Sequence, residues 1–261
     1  MTGRSIYLID IEGVLVVDKR YEPVPGAVAW LRDLDARGIR WRLVSNNTTH
    51  TPDDLVAALA RAGFAVSAEH LVGALGTGAA MLRERGWRDI GWLGHGGLVG
   101  WLGDQGLRPV APDAPDCDAV VLGVGPDLEL GDLDRALRWL KRGAALMCLH
   151  RNRFWLDEAG RARLGPGSLA AALTTAVPGA PVVTAGKPEP AVYRAALDSL
   201  GGSAAEALFI SDDPFTDLAG ARRLGMATVL VLSGKYPDAS VLDELPVDQR
   251  PDRVIARADQ L

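Results

Sequence analysis

The chain has 261 residues, 48% of them hydrophobic and 23% charged, which is ordinary globular composition and long enough for one large domain or two moderate ones. Its formal net charge of -5 argues against a general nucleic-acid surface, which needs a basic stripe to displace counterions. Cys117 and Cys148 are too few and too far apart for a disulfide framework and indicate a reducing, cytoplasmic setting.

No segment of the sequence predicts a signal peptide or a membrane-spanning helix, so no membrane partner is expected. Asp10 interrupts the first apolar run too early for a signal peptide. Prolines divide the uncharged stretch 164–186, which argues against a membrane helix. The abundance of alanine, arginine and glycine is typical of GC-rich bacterial coding sequence.

The first quarter of the chain predicts an alternation of strands and helices. A strand is predicted over 5–10, a helix over 25–35, a strand over 40–44 and a helix over 51–62. Such alternation favours a parallel sheet with right-handed crossovers.

Two acids follow the first strand. Asp10 is placed to attack phosphorus and form an aspartyl phosphate, and Glu12 to protonate the leaving oxygen and then activate water. Gly13 allows the backbone to turn tightly beneath a phosphate. A strand-to-turn junction with exposed acids is the alternative.

Ser45 and Asn46 follow the second strand. A hydroxyl and nearby backbone N–H groups at this point are suited to binding a phosphate oxygen. Because the run 45–49 is rich in cap-forming residues, a helix cap is the alternative.

The middle of the chain, residues 79–181, has its own alternation. The predicted strands are 90–93, 119–122 and 144–149, and the predicted helices are 97–102 and 130–142. This pattern predicts a second α/β unit, inserted between two core segments at 1–78 and 182–261.

The last part of the chain returns to the pattern of the first. Strands are predicted over 181–184, 207–210 and 228–232, with helices over 188–200 and 217–224. Lys187 lies where a strand ends and Pro188 opens a helix, so its ammonium is placed to offset the charge of Asp10 and of a phosphate. A solvated surface lysine is the alternative.

Three carboxylates, Asp212, Asp213 and Asp217, fall within six residues after the strand at 207–210. Such crowding is unfavourable unless a cation gathers the carboxylates, and Mg²⁺ is the expected cation. An acidic helix N-terminus is the alternative. Because all four polar clusters follow strands, their joint occurrence favours a phosphate-handling site over four separate accidents.

These motifs resemble those of the haloacid dehalogenase superfamily of phosphatases, in the class with a large α/β cap inserted between the second and third motifs. The matching segments are IDIEGVL at 9–15, VSNN at 44–47, GKPEP at 186–190, and SDD at 211–213 with DLAGA at 217–221. The similar branch is that of nitrophenylphosphatases and nucleotide-phosphatase-like proteins. The resemblance implies a Rossmann-like parallel sheet with helices on both faces, an inserted cap, and Mg²⁺-dependent hydrolysis of a small phosphomonoester.

The resemblance also implies roles for individual residues. Asp10 becomes nucleophile and metal ligand, and the backbone carbonyl of Glu12 and the carboxylate of Asp212 become further ligands. Asp213 and Asp217 bind the metal through water or hold Lys187.

Position 12 departs from the family pattern, which has aspartate there. The side chain of Glu12 is longer by one methylene group and moves the carboxylate outward. Proton transfer by a well-placed side chain contributes roughly 10²- to 10⁴-fold to the rate, and it depends on this geometry. We therefore predict a slow or substrate-restricted phosphatase. The alternative is a phosphate-binding or regulatory module that has lost turnover.

Substrate selection is expected in the cap. Arg151 and Asn152 follow the strand predicted to end at Leu149, where similar enzymes place specificity loops, and Arg151 is placed to pair with a substrate anion. An exposed arginine beside a loop is the alternative. The expected partner is a small phosphorylated metabolite, and since caps of this kind often pair in similar proteins, a homodimer through the cap is a further expectation.

Overall fold

The computed structural model describes residues 5–17, 20–156 and 161–261. The strands are β1 (Ile6–Ile9), β2 (Arg40–Ser45), β3 (Leu71–Gly73), β4 (Asp89–Leu93), β5 (Arg108–Pro109), β6 (Ala119–Leu122), β7 (Ala145–Cys148), β8 (Phe154–Leu156), β9 (Ala162–Leu164), β10 (Val182–Thr184), β11 (Ala207–Ser211), β12 (Ala227–Val231) and β13 (Arg253–Ile255). The α-helices are α1 (Ala27–Ala36), α2 (Pro52–Arg61), α3 (Ala74–Glu84), α4 (Val99–Asp104), α5 (Leu130–Lys141), α6 (Pro166–Ala176), α7 (Pro190–Ser199) and α8 (Ala219–Arg223).

The chain divides into two compact units. The first runs to Ser45, resumes over Pro52–Gly73 and continues over Lys187–Leu261, while the second comprises Asn46–Thr51 and Ala74–Gly186. The second unit thus extends beyond the predicted bounds at 79 and 181. It does so because α3 begins at Ala74 and because β10 pairs with β7 in the sheet of the second unit.

The first unit is built on a parallel six-stranded sheet in the order β13-β12-β11-β1-β2-β3. β1 lies between β2 and β11, with Ile9 opposite Leu43 on one side and Ile210 on the other. The predicted Rossmann-like architecture is confirmed, and its edge strands β3 and β13 are additions that the sequence had not indicated.

Side chains of β1 alternate between two buried clusters, one on each face of the sheet. Tyr7 and Ile9 pack with residues of α1 and α2, whereas Ile6 and Leu8 pack with residues of α7 and α8. Full burial of each such aliphatic side chain contributes about 1.5–3 kcal/mol. With apolar cover on both faces, β1 is held firmly at the centre of the sheet.

The second unit contains a parallel five-stranded sheet in the order β10-β7-β6-β4-β5 and a separate antiparallel hairpin of β8 and β9. Residues of α3 and α4 join one buried cluster of this unit, and residues of α5 and α6 join another. α5 buries Ala136, Trp139 and Leu140 along one stripe, which is the spacing of an amphipathic helix. None of the helices within 5–17, 20–156 and 161–261 has the length and apolar character of a bilayer-crossing segment.

Candidate active site

The central strands of the first sheet end beside one another. Asp10 follows β1, Ser45 is the last residue of β2 and Ser211 is the last residue of β11. Because these three strands are parallel neighbours, the residues at their carboxyl ends share one edge of the sheet. The Asp10 N–H donates to the Ile210 carbonyl at 2.9 Å, which extends the pairing of β1 with β11 to Asp10 itself.

The ammonium of Lys187 lies between two carboxylates. Its Nζ donates to Asp10 Oδ1 at 2.7 Å and to Asp217 Oδ2 at 2.5 Å, and only 2% of the side chain is exposed. Burial alone lowers the pKa of a lysine, but the charges of Asp10 and Asp217 outweigh burial and raise the pKa of Lys187. Lys187 is therefore a buried cation, and the surface-lysine alternative is wrong.

Burial acts in the opposite direction on the two partner carboxylates. It raises the pKa of Asp10, against the attraction of Lys187 and with the repulsion of Asp212. It also raises the pKa of Asp217 to about 7, again against Lys187. Asp10 and Asp217 are therefore buried beside a single lysine, and the two carboxylates together carry more charge than Lys187 balances.

The hydroxyl of Ser211 lies between the same two acids. Ser211 Oγ donates to Asp217 Oδ2 at 2.9 Å, lies 3.4 Å from Asp10 Oδ2, and accepts the Asp213 N–H at 3.1 Å. The side chain is fully buried. The sequence motif at 211–213 begins with Ser211, but no role was predicted for this residue. Its place at the end of a buried strand was the available signal.

Asp212 is held against two glycines and a backbone N–H group. Its Oδ2 accepts the Lys235 N–H at 2.8 Å, and a Cβ atom on either Gly13 or Gly234 would overlap the same oxygen. Burial raises the pKa of Asp212 to about 6, although the positive charge of Lys235 opposes the shift. Asp212 is therefore a buried acid with a narrowly defined position.

Asp213 has a different set of partners. Its Oδ1 accepts the N–H groups of Phe215 and Thr216, which begin a π-helical turn, and its Oδ2 accepts Lys235 Nζ at 2.7 Å. Burial raises the pKa of Asp213, but Lys235 and Thr216 outweigh burial and lower it. Asp213 thus caps a helical turn. For this residue, the alternative of an acidic helix N-terminus describes the structure.

Glu12 and Gly13 lie in a tight turn after β1. The Gly13 N–H donates to the Val16 carbonyl at 2.7 Å, and Gly13 has a φ of 79°, which favours glycine. Glu12 is half-buried, and its charge adds to burial in raising the pKa of Tyr21. The junction is therefore a compact turn in which the side chain of Glu12 is only partly exposed.

The predicted metal ligands do not form one cluster of side chains. Within the described residues, no group of three or more His, Cys, Asp or Glu side chains could hold a metal ion. Asp213 and Asp217 are each committed to a lysine. The predicted ligand set of Asp10, Glu12, Asp212, Asp213 and Asp217 stays a prediction.

The other predicted substrate residues are divided between the units. Ser45 is buried in the first unit, whereas Asn46 belongs to the second, where its Oδ1 would overlap a Cβ atom on Gly186. Arg151 Nε donates to Thr184 Oγ1 at 3.0 Å, and the Asn152 N–H donates to His150 Nδ1 at 3.4 Å. Arg151 and Asn152 are thus anchored within the second unit.

Two family models match the chain. One described as haloacid dehalogenase-like hydrolase matches residues 7–111, and one described as HAD-hydrolase-like matches residues 184–261. Haloacid dehalogenase-like hydrolase domain-containing protein 2 of Rattus norvegicus is 32% identical over 245 residues, which cover 94% of this chain and 89% of the relative.

Two named phosphatases are also similar. Dihydroxyacetone phosphatase of Corynebacterium glutamicum is 30% identical over 246 residues, covering 92% of this chain and 86% of the relative. The structure of p-nitrophenyl phosphatase from Archaeoglobus fulgidus matches with a TM-score of 0.86 at 28% identity, covering 98% of this chain and 97% of that structure.

Proposed function

The chain belongs to the haloacid dehalogenase-like hydrolases, and we propose that it hydrolyses small phosphomonoesters by attack of Asp10 on phosphorus. It is an enzyme that acts on phosphoric ester bonds. The observation that carries the proposal is the buried ion pair of Lys187 with Asp10 at the carboxyl edge of the central strands. A charged lysine without access to water is stable only where negative charge balances it, and a phosphate would add such charge at the same point.

The reaction has two displacement steps. In the first, an Asp10 oxygen bonds to phosphorus, and the ester oxygen leaves with the bonding electron pair and takes a proton from Glu12. In the second, Glu12 takes a proton from water, the water oxygen bonds to phosphorus, and the bond between Asp10 and phosphorus breaks. Lys187 stays protonated throughout and balances charge on Asp10 and the phosphate oxygens.

The two oxygens of Asp10 differ in their surroundings. Oδ1 accepts both Lys187 Nζ and the Ile11 N–H, at 2.7 and 2.9 Å. Oδ2 has a long contact of 3.4 Å with Ser211 Oγ. Oδ1 therefore orients the carboxylate, and Oδ2 keeps lone pairs available for bonding.

The pair of acids that fits Mg²⁺ is Asp10 and Asp212. Asp10 and Asp212 are buried acids, and the charge of Asp212 adds to burial in raising the pKa of Asp10, so a cation between them offsets a repulsion. Carboxylates and a backbone carbonyl are ligands that Mg²⁺ prefers. Asp10, Asp212 and the backbone carbonyl of Glu12 would hold the ion, which would draw negative charge off a phosphate oxygen.

The remaining assignments concern rate and substrate. Glu12 in place of the usual aspartate supports a slow or substrate-restricted enzyme. Ser45 and Asn46 are proposed to bind the phosphate, and Arg151 and Asn152 the rest of the substrate. Because a similar protein is named dihydroxyacetone phosphatase, three-carbon phosphates are the first substrates to test.

The test is phosphate release from p-nitrophenyl phosphate and a panel of metabolite phosphates. Release should require Mg²⁺, stop with EDTA, and fall by at least about 10³-fold in Asp10→Asn, which keeps the shape but not the nucleophile. Asp198→Asn, at an exposed position on α7, is the matched control and should leave the rate unchanged. Metal binding without release from any member of the panel would overturn the proposal and favour a phosphate-binding module.

A further inference from the structure

The segment 233–236, which follows β12, contacts both of the loops that carry candidate metal ligands. Ser233 Oγ donates to the Gly13 carbonyl at 2.6 Å, in the turn after Glu12. The Lys235 N–H donates to Asp212 Oδ2 at 2.8 Å, and the Tyr236 ring packs edge-to-face on Phe215 at 5.9 Å. We call this segment the 233–236 loop.

The same loop leaves Asp212 little freedom to move. The backbone of Gly234 passes so close to Asp212 that a side chain on Gly234 would overlap Oδ2, and Gly13 approaches the same oxygen. Asp212 itself is only 3% exposed. Its Oδ2 accepts the Lys235 N–H, which fixes the orientation of the carboxylate.

We propose that the 233–236 loop is a positioning element that fixes Asp212 and the turn at Gly13 in the arrangement required for binding Mg²⁺. The inference rests on the proposed function, since it takes Asp212 as a metal ligand. The loop acts through three parts: the Ser233 hydroxyl, the close approach of Gly234, and the backbone N–H of Lys235.

The side chain of Lys235 has the opposite electrostatic effect from its backbone. The backbone N–H orients Asp212 toward the ion, whereas the ammonium, which is paired with Asp213, adds a positive charge that repels a cation. Lys235→Met removes the ammonium and keeps the N–H group. The proposal therefore predicts different Mg²⁺ affinities for variants at the neighbouring positions 234 and 235.

The experiment measures Mg²⁺ affinity of the full chain by calorimetry in the absence of substrate. Gly234→Ala should weaken binding at least tenfold, because the added Cβ displaces Asp212. Lys235→Met should bind Mg²⁺ as tightly as wild type or more tightly. Gly131→Ala is the matched control, since a Cβ there meets no atom within 4 Å, and its affinity should be unchanged.

A second pair of variants guards against a general loss of folding. Ser233→Ala removes the hydroxyl that binds the Gly13 carbonyl and should weaken Mg²⁺ binding several-fold, whereas Ser233→Thr keeps a hydroxyl and should restore it. Thermal unfolding in EDTA is measured for every variant. A positioning role requires that affinity falls in Ser233→Ala while the unfolding temperature stays close to that of wild type.

The outcomes separate this inference from the proposed function. Wild-type affinity in both Gly234→Ala and Ser233→Ala overturns the positioning role, whatever the enzyme hydrolyses. Weak binding in those variants, together with wild-type protein that binds Mg²⁺ but releases no phosphate, supports the positioning role and overturns the proposed function. A wild-type chain that binds no Mg²⁺ overturns both.

Discussion

Replacing Lys187 with methionine removes the ammonium between Asp10 and Asp217 and keeps an apolar chain of similar length. The ammonium makes hydrogen bonds of 2.7 and 2.5 Å to these acids, and the lysine is 2% exposed. Without it, two acids remain buried next to one another with no cation between them. Both must then carry an uncompensated charge or take up protons.

Removal of one partner from a buried ion pair costs about 3–5 kcal/mol. We therefore expect Lys187→Met to lower the free energy of unfolding by about 3–5 kcal/mol. The measurement is urea denaturation in EDTA, followed by circular dichroism. Adding Asp217→Asn removes one of the two unpaired acids and should restore about 0.5–3 kcal/mol, the usual coupling between residues in contact. Lys141→Met, at an exposed position on α5, is the control and should stay within about 0.5 kcal/mol of wild type.

Two results would refute this reasoning. A single variant within about 1 kcal/mol of wild type would show that the ion pair adds little beyond the burial of its aliphatic chain. If the losses of unfolding free energy in Lys187→Met and in Asp217→Asn simply add in the double variant, the two side chains are not coupled.

Three further predictions concern other parts of the chain. Glu12→Asp should raise kcat for the best substrate at least about threefold, since proton transfer depends on placement of the carboxylate; unchanged turnover of every substrate would show that Glu12 is not limiting. Asp252→Asn should lower the free energy of unfolding by about 1 kcal/mol at pH 7. Hydrogen bonds from Thr228 and Arg222 outweigh burial and lower the pKa of Asp252, so the difference from wild type should shrink as the pH falls below the ordinary aspartate pKa of 3.8 and Asp252 is protonated. A difference that is constant from pH 3 to 7 would contradict this. Gly91→Ala should cost about 1–3 kcal/mol because a Cβ there would meet the Trp139 ring, while Gly100→Ala, with no atom within 4 Å, should not destabilise the chain.

The architecture of the first unit could be predicted because its central strands are short apolar runs that end in polar clusters. The predicted strand at 207–210 is β11, and the one at 40–44 is β2, each within one residue at either end. Parallel pairing then brings their ends to one edge without any information on side-chain contacts. The contact of Lys187 with Asp10 was also predicted, but this pairing does not explain it, because β10, the strand before Lys187, belongs to the sheet of the second unit.

Other elements gave weaker signals. α3 contains Gly76 and Gly78, which lower helix propensity, but Gly78 is required because a Cβ there would overlap Leu149. β10 was expected in the core, yet it pairs with β7, and an apolar run does not specify which sheet it joins. The partners of Lys235 were missed because a lysine in a loop has no periodicity to mark it.

The enclosure of Lys187 has a consequence for chemical labelling. Amine-reactive reagents need an accessible, unprotonated nitrogen, and Lys187 offers neither, since it is buried and its pKa is raised by Asp10 and Asp217 against the effect of burial. Lys141, at an exposed position at the end of α5, is accessible to such reagents. Acylation of the folded chain should therefore modify residue 141 and spare residue 187, and protection of residue 187 reports that the first unit is intact.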